Sequence, residues 1–480
     1  MIRMRNGRPD IIFLMLDTVR ADALGVYGGP AHTSTISALA KSGTVYERVV
    51  APGTYTVPSH ASLFTGKRVK EIKGLTKDPI KHSEENIDPF LTRIKYITAV
   101  DMTLAEKLGY LGYNTALISN NPFLSVSTGL GKGFAYAENL WFENSIDRSG
   151  YVKRVLKIID NEKLRKSLES VAYGISRMLP RKALDKVYIN IREKTNKSFS
   201  KRYGFYSLDK GAATTNKRII SILKKAGHPN FIFANYMEGH EGYPTNLISN
   251  EYVEQEKWLY LSGIASKDGI NIIQKAYLKR IEYLDSAIGA LLRKLRENGG
   301  LDNAIVIIAS DHGQAFMEHG LLYHNMFPYE ELVHVPLIVA RFVNGKQINT
   351  RENVNKFVSL TALNESIMKV ARGETDIING SLRSDNFVIS DHVGLTEVWD
   401  ISMLRRLMRR SEYARRIYLT KLYHNTFATA VYYKNFKLIH YFNSSIKDVM
   451  FDIIEDPYEK SNIINEKRQL AHQMVHVAIG

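Results

Sequence analysis

The chain has 480 residues, a net charge of +16, 44% hydrophobic and 24% charged residues, and no cysteine. These proportions belong to a globular protein and exclude disordered, collagen-like and coiled-coil chains. Without cysteine there is no disulfide, thiolate metal site or iron–sulfur cluster. At roughly 150 residues per domain the length allows two or three units, or one large α/β domain with an appendage.

The opening MIRMRNGRPD is charged, and the apolar run Ile11–Leu16 after it is too short for a signal-peptide core or a membrane span. No later run reaches about 18 uninterrupted apolar residues. The expectation is a soluble, cytoplasmic protein.

Ile11–Leu16 reads as a buried strand ending at Asp17. Thr103 and Glu106 stand at capping-box spacing ahead of a helix, and a strand Thr115–Ser119 follows the Gly112 turn. Phe231–Asn235 and Ala304–Ala309 are two further strands. Between them Tyr277, Ile281, Leu284, Ile288, Leu291, Leu292 and Leu295 share one helical face, stopped by Gly299 and Gly300. Strands alternating with helices predict an α/β fold with a mostly parallel central sheet and helices on both faces. Such folds bind ligands at the carboxyl ends of their strands. Polar residues gather there four times: Asp17; Asn120 and Asn121; Glu238 and His240; Asp311 and His312.

Two stretches break the pattern. Residues from about 135 to 225 read as a helical insertion or lid, and within it residues 153–202 hold 15 Lys or Arg against 5 Asp or Glu. That charge favours an anionic partner, with membrane-surface contact one candidate. No nucleic-acid-binding motif accompanies it, so nucleic acid is not expected. Beyond about 375 come a strand at Phe387–Ser390, a basic stretch Leu404–Arg416, and strand-like segments Tyr432–Tyr441 and Met450–Ile454. The predicted division is a catalytic domain over 1–375 and a C-terminal subdomain over 376–480. Oligomeric state is not indicated.

The chemistry concentrates in two segments. Asp311-His312 puts a hard carboxylate beside an imidazole, a pair suited to Mn²⁺, Zn²⁺ or Mg²⁺, with Asp17 as a third donor. In Thr56-Val-Pro-Ser-His60, Ser59 is expected to cap a helix starting at His60. Thr56 would then lie just ahead of a helix N-terminus, where an anion or developing alkoxide is favoured. A divalent cation there makes a hydroxyl a nucleophile at neutral pH.

These motifs resemble the sulfatase family of the alkaline phosphatase superfamily. Leu16–Asp22 with Leu24–Gly28 resembles the first metal-ligand block, and Thr56–His60 with Ser62–Gly66 the nucleophile block. Glu238–Pro244 is similar to the His-containing substrate block. Ser310–Gly313, Glu318–Gly320, His324 and Tyr329–Glu331 resemble the second metal block and its sequel, and Phe451 through Asn462 the terminal segment. The resemblance implies a three-layer αβα fold and Asp17, Asp311, His312 and the Thr56 hydroxyl around one divalent metal ion, Mn²⁺ or Zn²⁺ before Mg²⁺ or Ca²⁺. It implies Thr56 as nucleophile, His240 and His324 at the anionic ester group, and Asn120 and Asn121 near a substrate-binding position. His60, which stands where many sulfatases carry Arg, is counted with Thr56, His240 and His324 among the catalytic residues.

The chain departs from sulfatases in three ways. Their nucleophile is a Cys or Ser matured to formylglycine, and Thr56 cannot form that aldehyde hydrate. The paired carboxylates of the first block are reduced to Asp17-Thr18, and the Arg is His60. The expectation is a metal-dependent hydrolase of a phosphate-type ester on a carbohydrate or lipid-like alcohol, working through a Thr56 covalent intermediate. The alternatives are a phosphotransferase acting on an anionic polymer, a sulfuric ester hydrolase, and a non-catalytic binder of anionic glycan. Asp391-His392 and His319 are read as structural.

Overall fold

The computed structural model describes residues 7–72, 101–126, 128–140, 208–241, 267–324, 327–349, 351–374, 382, 386–393, 427–443 and 445–480. The basic segments 153–202 and 404–416 lie outside them, and with them the expected membrane contact.

Strands β1 (Asp10–Leu16), β2 (Thr44–Val50), β3 (Asn114–Ser119), β4 (Tyr136–Asn139), β5 (Asn230–Tyr236), β6 (Asn303–Ala309), β9 (His334–Val343), β10 (Lys346–Gln347) and β11 (Glu352–Ser359) form one sheet. Its order is β11-β2-β9-β6-β1-β5-β3-β4, with β10 beside β9. The run β6-β1-β5-β3-β4 is parallel throughout, while β9 lies antiparallel to both β2 and β6. Every residue of β1 is buried, because both faces of the sheet are covered. A two-stranded ribbon, β7 (Ala315–Phe316) with β8 (Leu322–Tyr323), follows β6.

On one face Ile12, Leu14 and Leu16 pack with the predicted apolar stripe of the long helix Lys267–Glu297. On the other, Phe13 and Phe233 meet Phe64 of the helix Thr56–Thr65, whose ten residues are all buried. Four antiparallel strands make a separate sheet: β12 (Val388–His392), β13 (Ala428–Tyr433), β14 (Phe436–Tyr441) and β15 (Val449–Asp452). The C-terminal helix Arg468–Ile479 packs on it through Met474 and Ala478. Among the described residues, no helix is long and apolar enough to cross a membrane.

The span 135–225, read as an insertion, begins and ends in core elements. β4 extends the main sheet, and the helix Ala212–Lys225 packs through Ile219 and Leu223 into the core beside the long helix. The helix carrying Thr56 also starts earlier than expected. Thr56 is its first residue, and Pro58 sits within the first turn, where a missing N–H costs nothing. Ser59 is therefore no cap: its hydroxyl donates to the Asp311 carbonyl at 2.5 Å, which ties this helix to the end of β6.

Candidate functional site

The parallel strands β1, β3, β5 and β6 end side by side, and the loops leaving them converge. Thr18, directly after Asp17, holds φ +60°, a strained value for a β-branched residue. Its N–H is thereby able to donate to Asp311 Oδ1 at 3.2 Å, alongside the His312 N–H at 3.0 Å. The Ser310 hydroxyl accepts the Val19 N–H at 2.9 Å and lies 2.5 Å from the Leu16 carbonyl, which joins the two strand ends. Gly239 passes so close behind that a Cβ there would stand 2.6 Å from the Asp17 carbonyl.

Asp17, Asp311 and His312 are fully buried, and one ligand atom from each lies within 4.8 Å of the others. Each carboxylate gives one oxygen to the protein and turns the other inward. Asp17 Oδ2 accepts the side-chain amides of Asn121 (2.8 Å) and Asn235 (3.1 Å), and Asp311 Oδ1 takes the two backbone donors. Asp17 Oδ1 and Asp311 Oδ2 have no hydrogen-bond partner among the described residues. His312 Nδ1–H donates to the Gly313 carbonyl at 2.9 Å, which leaves Nε2 as a lone-pair donor, 3.5 Å from Thr56 Oγ1.

Two carboxylates cannot both stay ionised here without a cation. Burial, and then the charge of Asp17, push Asp311 well above the usual range. Burial acts in the same direction on Asp17, but His240, His312 and the two asparagine amides hold it below its ordinary value. Two inward carboxylate oxygens, an imidazole nitrogen and a hydroxyl fit a divalent cation of intermediate hardness. Orphaned buried oxygens are otherwise costly.

Thr56 is 4% exposed, and its hydroxyl accepts the Asn121 amide at 3.2 Å. His60 lies beneath it: Nδ1–H donates to the Thr56 carbonyl at 2.8 Å and stands 3.5 Å from Asp311 Oδ2. Burial pushes this imidazole down to about 4, so it is neutral. Asn121 thus joins the cluster and Asn120 does not. Asn120 Nδ2 donates to Thr215 Oγ1 (2.8 Å) and the Asn235 carbonyl (3.1 Å), bracing the helix Ala212–Lys225. Glu238 likewise serves that helix, accepting the N–H groups of Lys210 (2.9 Å) and Ala212 (3.0 Å).

A second group of side chains forms the adjoining wall. His324 lies against His312, ring centroids 4.7 Å apart, and against His240 at 4.9 Å. Glu241 Oε2 is 3.1 Å from His240 Nδ1 and 3.2 Å from His324 Nδ1. Burial pushes His324 down to about 3. Lys210 Nζ donates to the carbonyls of His240 and Glu241, the latter at 2.8 Å, and burial lowers it to about 7. Asn235, Glu241, Gln314 and Lys210 were not picked out as site residues in the sequence. Glu241 sits inside the Glu238–Pro244 motif and Gln314 directly after Ser310–Gly313; Lys210 carries no local signal.

His319 and Asp391-His392 are engaged elsewhere. His319 Nδ1 pairs with Glu331 at 3.0 Å, Asp391 with Arg68 at 3.2 Å, and His392 Nδ1 with the Thr54 hydroxyl at 2.9 Å.

A mixed, mostly parallel sheet with flanking helices and a separate small antiparallel sheet matches the sulfatase/alkaline phosphatase-like fold. The chain belongs to the sulfatase family, whose sequence model matches residues 9–373. Family enzymes use a divalent metal, and the donors described above are candidates to hold it. Relatives include an N-acetylglucosamine-6-O-sulfatase of Bacteroides thetaiotaomicron, 23% identical over 96% of this chain and 83% of its own. An arylsulfatase of Clostridium perfringens is 24% identical over 71% and 70%. Among solved structures, the phosphonate monoester hydrolase of Agrobacterium radiobacter matches with a TM-score of 0.62 at 15% identity, covering 98% of this chain and 94% of that one. A likeness at that identity establishes the fold alone.

Proposed function

We propose that this sulfatase-family hydrolase cleaves a phosphate-type ester of a carbohydrate or lipid-like alcohol, with Thr56 as nucleophile and Asp17, Asp311, His312 and the Thr56 hydroxyl as the donors of one divalent ion. The observation that carries the reading is Thr56 itself. It stands buried at the first position of a helix, within reach of His312 and Asn121, and it cannot be converted to the aldehyde hydrate on which sulfate release in the family depends. A divalent ion in this site would supply positive charge that lowers the hydroxyl pKa and offsets charge on the ester oxygens.

The protein's own groups do the rest. Asn121 orients both Asp17 and the Thr56 hydroxyl. Thr56 gives up its hydroxyl proton to solvent water, and its Oγ attacks phosphorus as the bond to the alcohol oxygen breaks, giving a phosphothreonine and an alkoxide that takes up a proton. His240, partly open to solvent, can deliver that proton, and His324, whose Nδ1–H is held by Gln314 Oε1 at 3.0 Å, packs behind it. In-line attack by water on the phosphothreonine then breaks the P–Oγ bond, one water proton returning to Thr56 and the other passing to solvent, and releases phosphate from a monoester or a phosphate monoester from a diester.

The second reading is a sulfuric ester hydrolase acting on a glycan, favoured by the names of the curated relatives. Purified protein, stripped and reloaded with Mn²⁺ or Zn²⁺, should turn over aryl phosphate mono- and diesters or phosphonates faster than aryl sulfate. Thr56→Ala should lower that turnover by at least about 10³-fold with the fold intact. Sulfate hydrolysis above every phosphorus ester would give the second reading its place. Unchanged turnover in Thr56→Ala would remove Thr56 from the chemistry.

A further inference from the structure

We infer that Asp391 and His392, the last two residues of β12, are positioning residues for Thr56: the small sheet holds the helix Thr56–Thr65 at both ends and so sets the place of its reacting hydroxyl. The inference rests on the reading of Thr56 given above.

This helix has no side-chain cap of its own. Tyr55 ahead of it is extended, with φ −160° and ψ 172°, and its side chain makes no capping hydrogen bond. The chain leading into the helix is held from outside instead. The Asp391 N–H donates to the Pro52 carbonyl at 2.9 Å, and Gly53 and Asp391 form a parallel bridge. One residue further along both segments, Thr54 Oγ1 and His392 Nδ1 share a hydrogen bond of 2.9 Å, and both residues are buried. Gly53 is pressed against the first helical turn: a Cβ there would stand 2.8 Å from Pro58 Cγ and 3.1 Å from the Ser59 nitrogen. Only Tyr55 separates the clamped segment from Thr56.

The same Asp391 reaches the other end of the helix. Its carboxylate accepts Arg68 Nε at 3.2 Å and Nη2 at 3.3 Å, and Oδ1 also takes the Thr429 hydroxyl of β13 at 2.7 Å. Arg68 lies just past Gly66, where the helix stops, and it also donates to the Val477 and Ala478 carbonyls of the C-terminal helix at 3.2 and 2.9 Å. A bidentate pair of this kind fixes direction as well as distance. Asn364 already serves the last turn, its amide donating to the Leu63 and Phe64 carbonyls. What Arg68 and Asp391 add is orientation.

Reaction rate is steep in position: a displacement of about 1 Å, caused far from the chemistry, can cost about 10²-fold. Thr56 Oγ1 meets Asn121 at 3.2 Å and His312 at 3.5 Å, distances too long to fix a hydroxyl by themselves, so its backbone must be placed by what holds the helix.

The test separates kcat from KM in the metal-loaded full chain, on whichever aryl phosphate, phosphonate or sulfate ester the wild type turns over fastest. Thr54→Val keeps the shape and removes the hydroxyl, and His392→Phe removes the ring nitrogens. Each should lower kcat by about 10–100-fold at a temperature where every variant is folded, with bound metal unchanged and KM within about twofold. The double variant should be no slower than the slower single one, because both break one contact. Thr54→Ser should restore most of the wild-type kcat, and Asp391→Asn should lower kcat with KM unchanged. Variants that melt lower but keep the wild-type kcat would make the clamp structural only and overturn the proposal. So would equal losses in Thr54→Val and Thr54→Ser, losses that multiply in the double variant, or a change confined to KM. A fully active Thr54→Val beside an inactive Thr56→Ala removes the positioning and leaves the nucleophile standing. An active Thr56→Ala, or a wild type that turns over none of these esters, removes both.

Discussion

Two groups of buried carboxylates lie at the two ends of the stretch from Asp311 to Glu331, and they are neutralised in opposite ways. At the far end Glu330 and Glu459 share a fully buried lysine: Lys437 Nζ is 2.9 Å from the first and 2.7 Å from the second. Glu330 also accepts the Tyr432 hydroxyl at 2.5 Å, and Glu331 is paired with His319. One cation between two glutamates leaves them unequal: burial lifts Glu459 to about 7 despite Lys437, whereas Lys437 outweighs burial at Glu330 and holds it low. At the near end Asp17 and Asp311 have no lysine or arginine paired with them among the described residues; His60 and His312 stand beside them, and burial drives both imidazoles towards neutrality. Where a buried charge joins the small sheet to the large one, the sequence provides its own counter-charge. Where it does not, two oxygens are left facing each other, which is the arrangement expected of a site that receives its cation from solution.

The sharpest way to break this contrast is Asp311→Asn, which keeps the shape and removes a donor. Turnover should fall by at least about 10³-fold. The metal-dependent rise in thermal stability, worth about 2.7 kcal/mol when an ion is present at 100 times its Kd, should shrink with it. A variant whose melting temperature still responds to metal as the wild type does would detach Asp311 from the ion. Lys437→Met is the converse experiment. Removing the cation from a buried pair should cost about 3–5 kcal/mol in urea unfolding, and the added change Glu459→Gln should recover part of that. Metal affinity at the near end should stay as it was. A loss below about 1 kcal/mol would place Lys437 among ordinary surface pairs.

Much of this was legible in the chain. The four strands are near-continuous apolar runs, and each ends on a polar residue because buried parallel strands carry polar groups only at their ends. Thr56 stood out through the Pro58 and His60 around it. The first turn of its helix departs from the sequence pattern because a serine after proline resembles a cap, while the acceptor that claims Ser59, the Asp311 carbonyl, is 252 residues away. Asn235 illustrates what a single sequence withholds. Sheet register places it opposite Met15 and Ser119, one residue short of Leu16, so its amide meets Asp17. The neighbours Asn120 and Asn121 are equivalent in the sequence, yet the chain leaving β3 turns one towards Thr215 and the other towards Asp17. Glu241, Gln314 and Lys210 depend on loop packing that no periodicity encodes.

Smaller effects refine the comparison. Asn121→Ala removes the amide that holds both Asp17 and Thr56, so metal affinity or turnover should drop by about 10–100-fold. An unchanged enzyme would mean that Asn235 alone orients Asp17.

His319 tests the far end at its weakest member. Burial lowers its pKa, but the Glu331 carboxylate beside it and the field of Glu459 outweigh burial, so the folded-state value is raised. A histidine raised in the folded state contributes its charge-dependent stability fully below its unfolded value of about 6.5 and loses it as pH climbs through the folded value. His319→Gln should therefore lower the melting temperature more at pH 6 than at pH 9. The ring also stacks on Tyr329, centroids 3.9 Å apart and planes at 8°, a contact indifferent to protonation. If the deficit of the variant is the same at both pH values, stacking holds His319, and the carboxylates at the far end are neutralised by Lys437 alone.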